Sequence, residues 1–278
     1  AWFSGDRGRL TYGRAEVSIP DTHEKGRLET PSLWRLQFRA SPDAHVILQA
    51  IAPSAQDAWQ ADLRAALSTC TRRDVLLFIH GYNVDFETAA RRAAQFAYDL
   101  EFTGACVLYS WPSEGSTLKY TVDEDNALWT VDHFEDVLAG LLTGVDAACV
   151  HAVAHSMGSR VLADGVRRLD VAALPADAAH LREVVFAAPD INADTFRTFV
   201  RKFGHRAGRF TLYASSADRA LACSHTVHKY PRAGDAGHDL VIVDGLETVD
   251  ASGMDGAFLG HSYFCENRVV IQDLARLI

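Results

Sequence analysis

No apolar run in this 278-residue chain approaches the ~18 to 20 residues that a membrane-spanning helix needs. The amino terminus lacks the basic-then-apolar grammar of a secretory signal. No cluster of Lys or Arg is interleaved with aromatics, and the formal net charge of −9 is spread along the chain. Nucleic acid is therefore not an expected partner. Internal repeats, low-complexity tracts and Pro-rich linkers are missing, as are a Gly-rich phosphate loop and any metal-ligand spacing, so neither cofactor nor metal is expected. These absences describe a cytoplasmic protein, or a periplasmic one or a lipoprotein should a leader have been removed ahead of Ala1.

Cysteine is sparse. Cys70, Cys106, Cys149, Cys223 and Cys265 form an odd set, and Cys106 and Cys149 lie in apolar, strand-like runs. Buried free thiols acting as small hydrophobes are expected, with a Cys223–Cys265 bridge as the alternative.

What is present suits a globular α/β protein. Hydrophobic residues make up 48% of the chain, enough for a substantial core. The length fits one domain, with residues 1–52 as an N-terminal extension and 55–278 as the catalytic core. The extension holds short extended runs at Ala15–Ile19, Leu33–Phe38 and His45–Ile51, which read as antiparallel edge strands. Beyond it, strands alternate with helices, the signature of a mostly parallel sheet flanked by helices on both faces. Continuous apolar runs predict strands at Val75–Ile79, Ala105–Trp111, Ala148–Ala154, Glu183–Ala188, Arg209–Ala214 and Leu240–Val243. Helices are predicted at Gln56–Ser68, Asp85–Glu101, Asp125–Leu142, Met157–Leu169, Ala193–Phe203 and Glu266–Leu277. The clearest begins at Asp85, an N-cap ahead of Phe86, Ala89, Ala90, Ala93 and Ala97. Any cap over a site would come from residues 113–124 or 222–238.

The segment Ala148-Cys-Val-His-Ala-Val-Ala-His-Ser-Met-Gly158 runs from a buried strand through Ser156 into a helix. A sharp strand-to-helix turn of this kind lifts a serine hydroxyl above a sheet, and it needs small residues two positions to either side. Those positions hold Ala154 and Gly158; the first departs from the usual glycine by one methyl group. An ordinary helix N-cap is the bland reading of Ser156, disfavoured because strand, turn and amphipathic helix coincide.

Upstream, the strand in Val75-Leu-Leu-Phe-Ile-His-Gly-Tyr-Asn83 ends in His80-Gly81. The loop after such a strand donates one backbone N–H to an oxyanion, and the residue after the nucleophile donates another. Tyr82 and Met157 are the expected donors, with His80 a loop residue. A serine nucleophile also needs a base and a carboxylate that orients it, in the chain order Ser, acid, His. Among the downstream histidines only His261 follows the last strand and directly precedes the final helix; His225 and His228 are alternatives. Asp218 and Asp190 both follow strands, where catalytic groups of open α/β sheets collect. The later strand is the usual place, which favours Asp218. Asp190 then becomes an N-cap or a polar group on the substrate pocket, and Trp111 a pocket wall or an apolar floor.

These stretches resemble one bacterial family of α/β-hydrolases, the domain of unknown function 900, loosely described as esterase- or lipase-like. The likeness is carried by Phe78-Ile-His-Gly-Tyr-Asn83, Tyr109-Ser-Trp-Pro-Ser113, His151-Ala-Val-Ala-His-Ser-Met-Gly158, Ala188-Pro-Asp-Ile191, Leu212-Tyr-Ala-Ser-Ser-Ala-Asp-Arg-Ala220 and Gly260-His-Ser-Tyr263. Tyr12-Gly13 and Val17-Ser-Ile-Pro20 extend it towards the amino terminus. The resemblance implies the α/β-hydrolase fold and the triad Ser156, Asp218 and His261. It names no substrate. A carboxylesterase acting on a small or extended ester is the expectation, by analogy with such folds. An amidase, peptidase or transacylase with the same triad is the alternative within enzymes, and a catalytically silent binding module the alternative outside them.

Overall fold

The computed structural model describes residues 3–31, 40–116, 119–216, 230–237, 240–252 and 263–278. Its centre is a parallel six-stranded sheet in the order β4-β3-β5-β6-β7-β8. The strands are β3 (Asp74–Ile79), β4 (Ala105–Tyr109), β5 (Cys149–His155), β6 (His180–Ala187), β7 (Arg209–Ala214) and β8 (Leu246–Asp250). Every residue of β3 and β5 is buried, which is why these two segments read as unbroken apolar runs.

Strand periodicity divides the core in two. Val75, Leu77 and Ile79 of β3, with Val150, Ala152 and Ala154 of β5, face one layer. There α4 (Val131–Thr143), α5 (Gly158–Arg168) and α6 (Ala193–Phe203) contribute Phe134, Leu138, Val161, Leu162, Phe196 and Phe199. Leu76, Phe78, Val153, Val185 and Tyr213 face the other layer. That side is filled from α2 (Phe86–Asp99) by Ala93 and Phe96, and from the C-terminal helix Arg268–Leu277 by Val270, Ile271 and Leu274. Each large side chain buried in these layers contributes roughly 1.5–3 kcal/mol.

The N-terminal strands β1 (Tyr12–Ser18) and β2 (Ile47–Ser54) pair antiparallel with each other as a separate two-stranded sheet. The run Leu33–Phe38 lies outside the described residues.

Helices α1 (Gln56–Thr69), α2, α5 and α6 sit where periodicity predicted them. Asp85 caps α2 by accepting from the Thr88 amide at 2.8 Å. Two predicted helices are each broken. Asp125–Leu142 is α3 (Tyr120–Trp129) followed by α4, with Thr130 ending one and starting the other. The Thr130 hydroxyl is held by the buried Tyr109 hydroxyl at 2.6 Å, a partner no sequence period reveals. The C-terminal segment is α7 (Tyr263–Glu266) and α8 (Arg268–Leu277), split at Asn267, whose side chain accepts from the Val269 and Val270 amides.

Residues 240–243 are not a strand; among the described residues the last strand is Leu246–Asp250, just beyond Gly245. An apolar run marks strands covered on both faces, whereas β8 is a half-exposed sheet edge and can be polar. Cys106 likewise departs from expectation: it is exposed, because β4 is the opposite edge of the sheet. Cys149 is a buried free thiol and Cys265 is buried; Cys223, the other half of the alternative bridge, lies outside the described residues. Of the two stretches proposed for a cap, 120–124 begin α3 and 222–229 lie outside the described residues. Among the described residues, no helix is long and apolar enough to cross a membrane.

Candidate active site

Ser156 stands at the carboxyl end of β5, the strand in the middle of the covered sheet, with φ at +51°. For a side chain other than glycine this left-handed conformation costs on the order of 1–3 kcal/mol and persists only when its surroundings hold it. Three hydrogen bonds do so: the Ser156 amide donates to Ala187 O at 2.9 Å, and the Ser156 carbonyl accepts from the amides of Ser159 at 3.1 Å and Asp190 at 3.2 Å. The chain then enters α5 immediately. A β-carbon on Gly158 would lie 2.3 Å from the His80 carbonyl oxygen, so only glycine lets the helix start this close to β3. At the other flank the Ala154 methyl is fully buried and accommodated.

The loop after β3 passes directly over this turn. A β-carbon on Gly81 would meet His155 Nδ1 at 2.9 Å and the Ser156 β-carbon at 3.1 Å. His80 makes the loop rigid. Its ring stacks on Trp111 with centroids 5.1 Å apart, and Trp111 Nε1 donates to His80 O at 2.8 Å. His80 Nδ1 lies 2.7 Å from Gly81 O, and because a carbonyl can only accept, Nδ1 carries the proton. His80 Nε2 then accepts from the Ser110 hydroxyl at 3.2 Å. Burial pushes the imidazole down to about 4, so it is neutral near pH 7. The bond to Gly81 O fixes the plane of the Gly81–Tyr82 peptide, and with it the direction of the Tyr82 N–H. Met157, the other expected donor, is the residue preceding α5, where amides lack helical acceptors.

Asp190 is drawn into the same region but is heavily engaged. It is 1% exposed; Arg232 Nε lies 3.1 Å from Oδ1, and Tyr120 donates its hydroxyl to Oδ2. Arg160 on α5 donates to the Asp190 carbonyl at 2.7 Å and pairs with Glu124 on α3. Trp111 is 2% exposed and braces the His80 loop. A cleft of about 1050 Å³ between the N-terminal segment and β4 includes Trp111 and Ser113 in its wall but not Ser156. Tyr82 is half-buried, its ring edge-on to Tyr120 at 5.4 Å.

The structure thus gathers Ser156, Met157, Gly81, Tyr82 and Asp190 at the carboxyl ends of β3, β5 and β6. Asp218 and His261, and the alternatives His225 and His228, lie outside the described residues. Sequence reasoning did not single out Asp123 or Arg160. The spacing of Tyr120, Asp123 and Glu124, one face of a helix, was the signal available for the α3 side of this network. Among the described residues, no group of three or more His, Cys, Asp or Glu is placed to hold a metal ion.

A parallel sheet covered by helices on both faces, with a strained serine at a strand-to-helix turn beneath a His-Gly loop, defines an α/β hydrolase. Residues 55–278 match the family described as alpha/beta hydrolase of unknown function (DUF900), and the chain belongs to that family. No curated protein matches it. Among solved structures, a thermophilic esterase from Thermogutta terrifontis, Est2 with propionate bound, is 15% identical with a TM-score of 0.36, over 74% of this chain and 81% of that one. A lipase-esterase related protein from Clostridium acetobutylicum is 11% identical with a TM-score of 0.40, over 75% of this chain and 96% of that one.

Proposed function

We propose that the protein is a serine carboxylesterase that cleaves small or extended esters through an acyl-enzyme intermediate. Ser156 attacks the ester carbonyl while His261 takes its proton, and Asp218 holds the imidazole in the tautomer that can accept it. The Tyr82 and Met157 amides stabilise the oxyanion. His261 then returns the proton to the departing alcohol, and water hydrolyses the acyl-enzyme by the reverse sequence of proton transfers. The observation that carries this reading is the strained Ser156, with φ at +51°, directly beneath Gly81. A structural serine has no need of a conformation this unfavourable.

A fluorophosphonate probe tests the reading, together with chromogenic esters graded by acyl length and a matched anilide. Wild-type protein should be labelled and turn over esters faster than the anilide. Ser156→Ala should take no label and lose on the order of 10⁶ in kcat. Folded wild-type protein that resists labelling, or a Ser156→Ala variant that still turns over, overturns the proposal. Preference for the anilide would make the enzyme an amidase.

A further inference from the structure

The Asp123 side chain is a buried carboxylate on α3, 0% exposed, and its partners come from two other segments. Oδ2 accepts from the Asn83 amide at 3.1 Å and from the Ser113 hydroxyl at 2.6 Å; Oδ1 accepts from the Glu114 amide at 2.8 Å. The Ser113 oxygen in turn accepts from the Val84 amide at 3.2 Å. Among the described residues, no basic side chain pairs with Asp123. A buried carboxylate held by amides and a hydroxyl is costly compared with an apolar residue of the same size. Its placement has to be explained by what it orients.

What it orients is the chain on the far side of Tyr82. Each residue is flanked by two peptide planes. The Gly81–Tyr82 plane is held through its carbonyl by His80, and the Tyr82–Asn83 plane is held through its N–H by Asp123. Asn83 has φ at +57°, a left-handed conformation that also needs external restraint. The same helix reaches the nucleophile side, because Glu124 pairs with Arg160 on α5 and Tyr120 donates to Asp190. Thus α3 joins the loop bearing one expected oxyanion donor to the helix that follows the other.

We propose that Asp123 is a positioning residue for the oxyanion hole, fixing the Tyr82 amide through the Asn83 peptide and, by way of Ser113, through Val84. The proposal rests on the reading of Ser156 as nucleophile and Tyr82 as donor. Asp123→Asn keeps the shape but turns one acceptor into a donor that faces donors. It should lower kcat per active site, counted by fluorophosphonate titration, about 10- to 100-fold, with KM changed less than about 3-fold. A trifluoromethyl ketone, whose hemiketal oxyanion occupies the hole, should lose affinity in parallel. Ser113→Ala, which removes the link to Val84 and one donor to Asp123 but leaves the Asn83 and Glu114 amides on the carboxylate, should show the same pattern more weakly.

A folded Asp123→Asn variant with wild-type turnover per titrated site and wild-type inhibitor affinity overturns the proposal, as does activity lost only in proportion to titratable sites. Should Asp123→Asn fail to fold, Ser113→Ala decides: kcat and inhibitor affinity falling together support the proposal, and neither falling overturns it. Wild-type protein without Ser156-dependent turnover overturns the underlying reading, and the positioning role with it.

Discussion

Gly81 and Ser156 stand so close that a β-carbon on the glycine would lie 3.1 Å from the β-carbon of the serine. Gly81→Ala should therefore push the loop and its Tyr82 amide away from the site. The expected loss is about 10² to 10³ in kcat, the size of one oxyanion donor, with stability lowered by only about 1–3 kcal/mol. Steady-state kinetics and urea unfolding on the same preparation separate the two effects. Wild-type turnover in the variant would remove Tyr82 from the mechanism.

Gly158→Ala should act on stability first. Its β-carbon would meet the backbone oxygens of His80 at 2.3 Å and Ile79 at 3.0 Å, neither of which can rotate away. Shifting β3 against α5 should cost at least about 3 kcal/mol, the upper part of the overpacking range. The urea midpoint reads this directly. A midpoint equal to that of Gly81→Ala would mean that the helix start can retreat.

The two candidate acids should separate by what they damage. Asp190→Asn removes the carboxylate charge that the buried Arg232 guanidinium shares with Arg160, which keeps Glu124, and should cost up to about 3–5 kcal/mol of stability. Asp218→Asn should lower kcat by about 10⁴, the loss expected when the base is held in the wrong tautomer. Catalysis lost in folded Asp190→Asn and retained in Asp218→Asn would move the acid to Asp190.

Two histidines should bend the pH dependence of stability in opposite senses. Burial alone would lower the pKa of His23, but its ring nitrogens lie 2.8 Å from Glu29 and 2.8 Å from Asp99, and these bonds raise it. The folded protein holds that proton more tightly than the unfolded chain. The resulting stability is present below about pH 6.5 and is lost as pH rises through the folded value. His80, lowered by burial to about 4, binds its proton more tightly when unfolded. It costs stability as pH falls from about 6.5 towards 4. Urea unfolding between pH 4 and 9 should show His23→Asn flattening the alkaline limb and His80→Asn the acid limb. A variant with the wild-type slope would refute the assignment for that residue.

The turn at Ser156 was legible because strand period, small flanking residues and an amphipathic helix all act within a few residues of it. The interior strands β3, β5, β6 and β7 were legible for a similar reason, since burial on both faces imposes one apolar pattern. At the β8 edge that pattern fails: residues 240–243 are more apolar than Leu246–Asp250, yet the latter form the strand. The breaks at Thr130 and Asn267 were hidden because helix periodicity continues across them. Asp123 and Asp190 carried no local mark of Asn83 and Arg232, partners that lie 40 and 42 residues away.

The strand-to-helix turn at Ser156, the His-Gly loop and the alternation that builds a parallel sheet are written in the amino-acid sequence, because each depends on neighbours along the backbone. Tertiary structure alone decided that Gly81 lies over Ser156, that His80 is neutral with its proton on Nδ1, and that Asp123 closes on Asn83, Ser113 and Glu114. Those outcomes depend on distances between segments far apart in the chain, and on the removal of water from between them, neither of which a local pattern encodes.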